Sequence, residues 1–283
     1  MDAMLGMLDE IRGALAAGKL IPYLGTELHV RPEGVAAIPL IPLTPTELAA
    51  RLSARVTVPF KVRANMTAAA QYIENFRHRK TLVGLMREIF QEGLSPSPTH
   101  RFFAAQPQLP LLVDIWYDGA AQAALGELAE RNDWGQVQGV SRAEHRDIWV
   151  KYYRADGAVS DENEAAGWKT LLYRPLGSIS PAANFIVSDS DFVEVLTEID
   201  IQSPIPPRVQ ELRGGRHFLF LGCRFRNQLE RAYARQIMKR SSVGPHWAVL
   251  SGELSKNEIK FLAEQNIQRL DLAPDAFLEA LAA

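Results

Sequence analysis

Cysteine is almost absent from this chain, which has a single one, Cys223, among its 283 residues. One thiol cannot form an internal disulfide, and it excludes a zinc module held by several cysteines. We therefore expect no structural zinc and no metal site. So low a cysteine content also suits a reducing compartment, and we expect a cytoplasmic protein.

An excess of one charge is also absent, since 31 Lys and Arg residues face 33 Asp and Glu residues, for a net charge of −2. Such a chain has no strong overall field for nucleic acid or an acidic membrane surface, and we expect neither as a partner. Its apolar runs are far shorter than the roughly 20 residues of a membrane-spanning helix. The first residues carry acids where a signal peptide carries lysines, so we expect no secretion signal.

Short apolar runs alternate with segments of helical periodicity, which is typical of buried parallel strands joined by helices. These runs predict strands near residues 20–24, 110–115, 169–173, 217–221, 247–250 and 267–270, and a further pair near Val137 and 148–153. The alternation predicts an α/β fold with a doubly wound, Rossmann-like parallel sheet. The length favours one domain over residues 1–283.

Residues 44–92 interrupt this alternation, because they read as helix throughout. Thr44-Pro45-Thr46-Glu47 has a capping threonine, a proline in the first turn and a glutamate three residues after the cap. Breaks are expected near Pro59 and near residues 77–80. So much helix exceeds one crossover connection, and we interpret residues 44–92 as a helical insertion between two strands of the sheet.

Ligands of parallel α/β sheets bind beyond the carboxyl ends of the strands. We therefore expect functional residues in the segments that follow four of the predicted strands. These segments start at Gly25, Ile115, Pro175 and Gly222.

Four segments at these strand ends resemble, in order, the motifs of sirtuin-like NAD-binding domains, specifically the bacterial branch without a zinc module. KLIPYLGTELHV resembles a strand running into G-A-G-x-S, and SPSPTHRFFAAQPQLPLLVDIWYDGAAQAAL resembles a helix and strand leading into T-x-N-Y-D. LLYRPLGSISPAANFIVSDSDFVEVL resembles L-H-G-S-I followed by an acidic segment. FLFLGCRFRNQLERAY resembles a strand ending in G-x-S-x-x-D. The resemblance covers roughly residues 15–240.

This resemblance implies NAD or ADP-ribose as the cofactor and NAD cleavage as the reaction. In that family a glycine-rich loop approaches the pyrophosphate, an asparagine holds the ribose or the attacking water, and a histidine is the general base. The cofactor-binding positions that the resemblance implies here are Gly25, Thr26, Asp118, Gly177, Ser178, Gly222 and Arg224.

The chain departs from the motifs at the positions that carry this chemistry. The second loop glycine corresponds to Glu27, whose carboxylate opposes the approach of a diphosphate, and the loop serine corresponds to His29. The asparagine corresponds to Trp116, which lacks an amide, and the histidine to Leu176, which cannot take a proton. The residues therefore predict a sirtuin-like fold that has lost the usual NAD hydrolase groups.

Three functions stay open. The favoured one is a pseudoenzyme, a regulatory module that binds an unidentified protein partner or senses a nucleotide. The second is an active NAD-consuming hydrolase of the bacterial defence type, with Glu27 or Asp118 as a rearranged base. The third is another reaction built around Glu27, His29 and Asp114. Glu27, His29, Asp114 and Asp118 are thus the catalytic candidates, and a homo-oligomer stays open.

The shape of the pocket over the first strand separates these hypotheses. An open cleft lined by arginines favours nucleotide binding, whereas a pocket filled by Trp116 and Leu176 favours a scaffold. We interpret three arginines near the strand ends as surface or paired cations rather than as phosphate ligands. They are Arg174, Arg224 and Arg226.

Overall fold

A computed structural model describes residues 2–29, 41–128, 131–198 and 204–282. Its strands are β1 Leu20–Leu24, β2 Leu111–Asp114, β3 Trp134–Gly139, β4 Val150–Arg154, β5 Val159–Ser160, β6 Thr170–Arg174, β7 Gly177–Ser178, β8 Asn184–Phe185, β9 His217–Leu221, β10 His246–Val249 and β11 Ile267–Leu270. Its α-helices are α1 Asp2–Ala16, α2 Pro45–Arg55, α3 Met66–Arg77, α4 Arg79–Phe90, α5 Pro98–Ala104, α6 Ala120–Gly126, α7 Glu162–Ala165, α8 Asp189–Glu198, α9 Pro207–Arg213, α10 Gln228–Met238, α11 Lys256–Glu264 and α12 Pro274–Ala282. A short 3₁₀ helix covers Thr26–His29.

A nine-stranded sheet forms the centre of the described structure, in the order β11-β10-β9-β1-β2-β6-β3-β4-β5. The strands from β11 to β3 run parallel, and β4 and β5 add an antiparallel edge. This confirms the predicted Rossmann-like α/β fold. The next strand of the sequence, β2, lies on one side of β1, and the later strand β9 lies on its other side. The strand order therefore reverses at β1. A crevice at the carboxyl end of β1 follows from that reversal.

Helices cover both faces of the sheet, which explains why its strands read as continuous apolar runs. Ile21 and Tyr23 of β1 pack into the larger core, which also contains apolar residues of α2, α3 and α4. Leu20 and Leu24 of the same strand pack into a second core with residues of α1, α5 and α12. Alternate side chains of a strand point to opposite faces, and here both faces are buried.

The predicted helical stretch over residues 44–92 consists of α2, α3 and α4. The Thr44 hydroxyl accepts a hydrogen bond from the Glu47 amide at 3.2 Å, which is the predicted cap of α2. The second predicted break falls at His78, whose φ of 69° ends α3 and starts α4. Next to it, Arg79 forms an ion pair of 2.7 Å with Asp191 of α8. That ion pair links the start of α4 to α8.

Two elements differ from the sequence prediction. The α6 helix is shorter than predicted, and β3 belongs to the parallel sheet as well as to the antiparallel pair. The pattern after the second predicted strand predicts a helix over residues 119–131, but α6 ends at Gly126, and the Leu128 amide bonds to the Leu125 carbonyl in a three-residue turn. Residues 129–130 of that expected helix lie outside the described residues. The strand expected near Val137 is β3, which joins the parallel sheet beside β6 as well as pairing with β4. None of the described helices is both long and apolar enough to cross a membrane.

His246 makes the stability of this fold sensitive to acid. It is buried at the start of β10, and its Nδ1 accepts a hydrogen bond from the Phe218 amide at 2.9 Å. Burial, with the nearby His217, lowers the pKa of His246 to about 4. The unfolded chain therefore takes up a proton between about pH 6.5 and pH 4 that the folded chain does not, and stability falls as the pH falls through that range.

We expect the change from His246 to Asn to flatten this pH dependence, because the amide oxygen can still accept from Phe218 but does not titrate. The wild-type protein should lose about 2 kcal/mol more than His246→Asn between pH 7 and pH 5. Urea unfolding of both proteins at the two pH values measures this. Equal losses in both proteins would show that His246 is not the acid-sensitive group.

Candidate functional site

An open cleft lies where the carboxyl ends of β1, β2 and β6 face the helical insertion. Its volume is about 430 Å³. The strand ends contribute Tyr23, Ile115, Trp116 and Leu176, and α10 contributes Glu230 and Tyr233, among other residues. The other walls come from the starts of α2, α3 and α8. The cleft thus occupies the crevice that the strand order predicts.

Trp116 and Leu176, which stand where the resemblance implies an asparagine and a histidine, are walls of this cleft and do not fill it. Trp116 is 2% exposed, and its indole nitrogen donates to the Pro42 carbonyl at 3.0 Å. Its ring stands edge-on to Phe90 with centroids 5.9 Å apart. The indole is therefore held back against the insertion, and the space in front of it stays open.

The cleft matches neither of the alternatives from the sequence, which were an open cleft lined by arginines and a pocket filled by Trp116 and Leu176. It is open, as expected for nucleotide binding, but no arginine or other basic side chain lines it among the described residues. The three arginines near the strand ends are paired elsewhere. Arg174 pairs with Asp114, Arg224 with Glu258 and Arg226 with Glu27.

The loop after β1 is closed against the loop after β9. The Gly25 amide donates to the Leu221 carbonyl at 2.8 Å, and the Glu27 amide donates to the Gly222 carbonyl at 2.9 Å. A Cβ on Gly25 would collide with the Gly222 carbonyl and lie 2.7 Å from the Cys223 sulfur. The close contact of the two loops thus explains why glycine stands at positions 25 and 222. The amides of Gly25 and Glu27 bond within this contact and are not free to bind a phosphate. Among the described residues of this loop, Thr26 lines the cleft.

Glu27 and Arg224 lie together in a second pocket, of about 320 Å³, at the carboxyl ends of β9 and β10. A Glu27 oxygen lies 3.4 Å from the Arg226 guanidinium. The Arg224 guanidinium donates to Glu258 at 3.0 Å and to the Ser251 carbonyl at 3.1 Å. Neither side chain faces the cleft. The side chain of His29, the third candidate of this loop, lies outside the described part of the structure.

Asp114, at the end of β2, forms a buried ion pair with Arg174 of β6. The carboxylate and guanidinium approach to 3.1 Å, and neither side chain is more than 4% exposed. Arg174 also donates to the carbonyls of Trp116 and Asp118. Burial raises the pKa of Asp114 to about 7, although Arg174 opposes the rise. Asp114 thus organises the loop after β2 and does not line the cleft.

Asp118 and the glycine–serine turn after β6 also act within the fold. The Asp118 carboxylate accepts from the Ala120 amide at 2.7 Å and so starts α6. The Ser178 hydroxyl donates to the carbonyls of Tyr117 and Asp118, at 3.3 and 3.2 Å. Gly177 has a φ of 77°, and a Cβ there would collide with the Asn184 carbonyl. Hydrogen bonds and packing thus engage these three predicted cofactor positions.

Two acids of the cleft were not among the candidates predicted from the sequence. Asp189 starts α8, and Glu230 lies in the first turn of α10. Glu230 accepts from the Asn227 amide at 3.3 Å, and burial raises the pKa of its carboxyl group. The sequence does carry a signal for Glu230, because Asn227 and Glu230 have the spacing of a capping box just after a strand.

Neither Cys223 nor a histidine whose side chain the structure describes belongs to a cluster of possible metal ligands. Burial, followed by the charges of Glu230 and Glu27, holds the pKa of the Cys223 thiol well above its usual value. A thiol with a raised pKa is a poor nucleophile. Among the described residues, no three His, Cys, Asp or Glu side chains are grouped so that they could hold a metal ion.

A family model described as a SIR2-like domain matches residues 110–270, more than half of the chain. The chain belongs to the SIR2-like family. The match runs from the start of β2 to the end of β11 in this SIR2-like protein. It includes the segments around Trp116, Leu176 and Gly222, and the loop of Gly25 lies before it. A search of curated proteins finds no match to the chain.

Proposed function

We propose that this SIR2-like protein is a binding module that uses its cleft without cleaving NAD. One observation carries the proposal, namely that Trp116 and Leu176 are the residues that the cleft presents at the two positions of the expected amide and imidazole. An indole and an isobutyl group neither hold a water by a carbonyl nor accept a proton. General acid–base groups contribute about 10² to 10⁴-fold each to a rate.

The fit of NAD to the described residues is poor. A diphosphate attracts cations and free backbone amides, but the cleft has no basic side chain among the described residues and carries two carboxylates. The amides of Gly25 and Glu27 are engaged with β9. We therefore derive no catalytic step through NAD, and we propose that any NAD or ADP-ribose binding is weak.

The neighbouring polar residues offer little replacement for the missing groups. Asp114 and Asp118 are buried and bonded within the fold, and Glu27 faces the second pocket. Glu230 is the exception, a carboxylate in the cleft with a raised pKa. It is the observation that favours the alternative function, an NAD-consuming hydrolase with rearranged catalytic residues.

We expect no nicotinamide release above background when micromolar protein is incubated with NAD for hours. Chromatographic measurement of nicotinamide, with heat-inactivated protein as the blank, tests this. Clear turnover that is lost in Glu230→Gln would contradict the proposal and establish the hydrolase instead. Turnover that survives in Glu230→Gln and disappears in Asp118→Asn would contradict it as well, and would point to the base predicted from the sequence.

The regulatory role, the protein partner and the cytoplasmic location are part of the same proposal. An occupant of the cleft can change the position of the helical insertion, because an ion pair between Arg79 and Asp191 links the start of α4 to α8, and α8 also lines the cleft. Co-purification of the protein from its native cells, with and without a blocked cleft, identifies such a partner.

A further inference from the structure

The joint between α3 and α4 contains a strained residue. His78 has a φ of 69° and a ψ of 153°, a region of backbone space that is almost exclusive to glycine. Its side chain is exposed, and within the described structure it caps no amide of α4. The imidazole therefore does not offset the strain as a helix cap, and neighbouring residues must hold the joint in this conformation.

Arg79, the next residue, holds the joint. Its guanidinium forms ion pairs with Asp191 at 2.7 Å, with Glu144 at 3.3 Å and with Glu74 at 3.5 Å. It also donates to the carbonyl of Phe185. The side chain is 11% exposed, so dissolved salt screens these pairs only weakly. We call these contacts the Arg79 clamp, and they bind the joint to α8, to β8 and to the segment between β3 and β4.

The carboxylate of Asp191 is a fixed receptor for this guanidinium. It accepts a hydrogen bond from the Ser141 hydroxyl at 2.5 Å. It also accepts from the amides of Val187 and Ser188, at 2.8 and 3.0 Å. These donors follow β3 or precede α8, so none of them belongs to the helical insertion. Asp191 can therefore keep its position when Arg79 leaves, and the clamp can open without rearrangement of α8.

The clamp lies beside the cleft. Asp189 and Phe192, in the first turn of α8, line the cleft on one side, and Met66, at the start of α3, lines it on another. The Gln71 side chain of α3 accepts from the Ser190 amide at 2.7 Å, which is a second link between α3 and α8. Movement of α3 away from α8 therefore widens the cleft.

We propose that the joint between α3 and α4 is a strained latch, in which the Arg79 clamp holds the helical insertion against α8 and its release opens the cleft. The ion pairs of the clamp favour the closed state. The strain at His78 favours the open state, because the backbone of this residue relaxes once the joint is free. The inference rests on the proposed function only in taking the cleft as a binding site.

Hydrogen exchange measured by mass spectrometry tests the latch, because local opening sets the exchange rates of the amides that it exposes. We expect α3, the start of α4 and the start of α8 to exchange at least tenfold faster in Arg79→Met than in wild type. Strands β1 and β9, at the centre of the sheet, should stay within twofold. Arg55→Met removes another arginine of the insertion, whose pair with Glu88 is exposed, and it should leave every segment within twofold.

Replacing His78 with glycine should have the opposite effect. Glycine adopts the backbone conformation of this joint without strain, so the closed state gains stability. We expect exchange in α3 and at the start of α4 to slow about threefold or more. Lys80→Gly is the matched control, because Lys80 is exposed in the first turn of α4, and glycine in a helix should not slow exchange.

The indole of Trp116 reports whether release of the clamp opens the cleft. It packs against Phe90 of the insertion and donates to the Pro42 carbonyl, so movement of the insertion exposes it. Its fluorescence is the difference between proteins with and without the Trp116→Phe change. We expect acrylamide to quench this signal at least twofold more strongly in Arg79→Met than in wild type, and equally in Arg55→Met and wild type.

Faster local exchange and stronger quenching in Arg79→Met, with slower exchange in His78→Gly, support the latch. Exchange that is unchanged in Arg79→Met, or raised equally in all segments, would overturn it. Unchanged quenching of Trp116, or a His78→Gly protein that exchanges as fast as wild type, would overturn it too. If Arg79→Met does not fold, the comparison of His78→Gly with Lys80→Gly decides alone.

These results are independent of the proposed function, because none of the measurements uses NAD. Release of nicotinamide would overturn the proposed function and leave the latch intact. A latch that fails these tests would leave the absence of nicotinamide release, and with it the proposed function, unaffected.

Discussion

Replacing Gly25 with alanine is expected to destabilise the protein by about 3 kcal/mol, because the added methyl group has no room. It would collide with the Gly222 carbonyl and lie 2.7 Å from the Cys223 sulfur. The loops after β1 and β9 would separate, and the hydrogen bonds from Gly25 and Glu27 to β9 would weaken. Urea unfolding of Gly25→Ala and wild type measures the difference.

Gly84→Ala is the matched control and should have the opposite sign. Gly84 lies within α4, and a Cβ there would meet nothing within 4 Å. Alanine should therefore stabilise the protein by roughly 0.5–1 kcal/mol, which is the usual cost of glycine inside a helix. A Gly25→Ala protein as stable as wild type would show that the two loops are not held as described.

Replacing Arg174 with methionine is expected to cost about 3–5 kcal/mol above pH 7, because it leaves a buried carboxylate without its counter-ion. Asp114, 3.1 Å from the guanidinium, would lose the interaction that holds its pKa down. The carbonyls of Trp116 and Asp118 would lose their donor at the same time. The change therefore removes both a charge pair and the anchor of the loop after β2.

The pH dependence distinguishes the lost charge pair from lost packing. In the wild-type protein the pKa of Asp114 is about 7, and in Arg174→Met it should be higher still. The stability gap between the two proteins should thus be largest near pH 9, narrow as the pH falls toward 7 and be constant below about pH 6. A gap that is the same from pH 9 to pH 6 would attribute the loss to packing and hydrogen bonds alone.

Glu27 illustrates why neighbours in sequence need not share a site. The sequence placed Thr26 and Glu27 together in one nucleotide loop. The tight 3₁₀ turn at Thr26–His29 sends Thr26 to the cleft and Glu27 to the second pocket. The loop after β9, almost 200 residues away in sequence, packs against this turn and sets the direction of each side chain.

The sequence by itself determined the α/β class, the six predicted strands and the helical nature of residues 44–92. These follow from local spacing, capping residues and apolar runs, which act over a few residues. The resemblance of its motifs also led to the prediction that Trp116 and Leu176 correspond to the asparagine and the histidine of the sirtuin-like motifs, and no comparison tests that correspondence.

Only the tertiary structure decided that the cleft is open, acidic and free of basic side chains within its described lining. The sequence favoured paired or surface cations over phosphate ligands for Arg174, Arg224 and Arg226, but it could not name their partners. Their carboxylate partners come from other elements, up to about 200 residues away along the chain. Glu230 and Asp189 reach the cleft because α10 and α8 pack beside each other over the same sheet edge. Contacts between residues so far apart in sequence depend on the packing of whole helices and strands, and a local sequence pattern does not predict them.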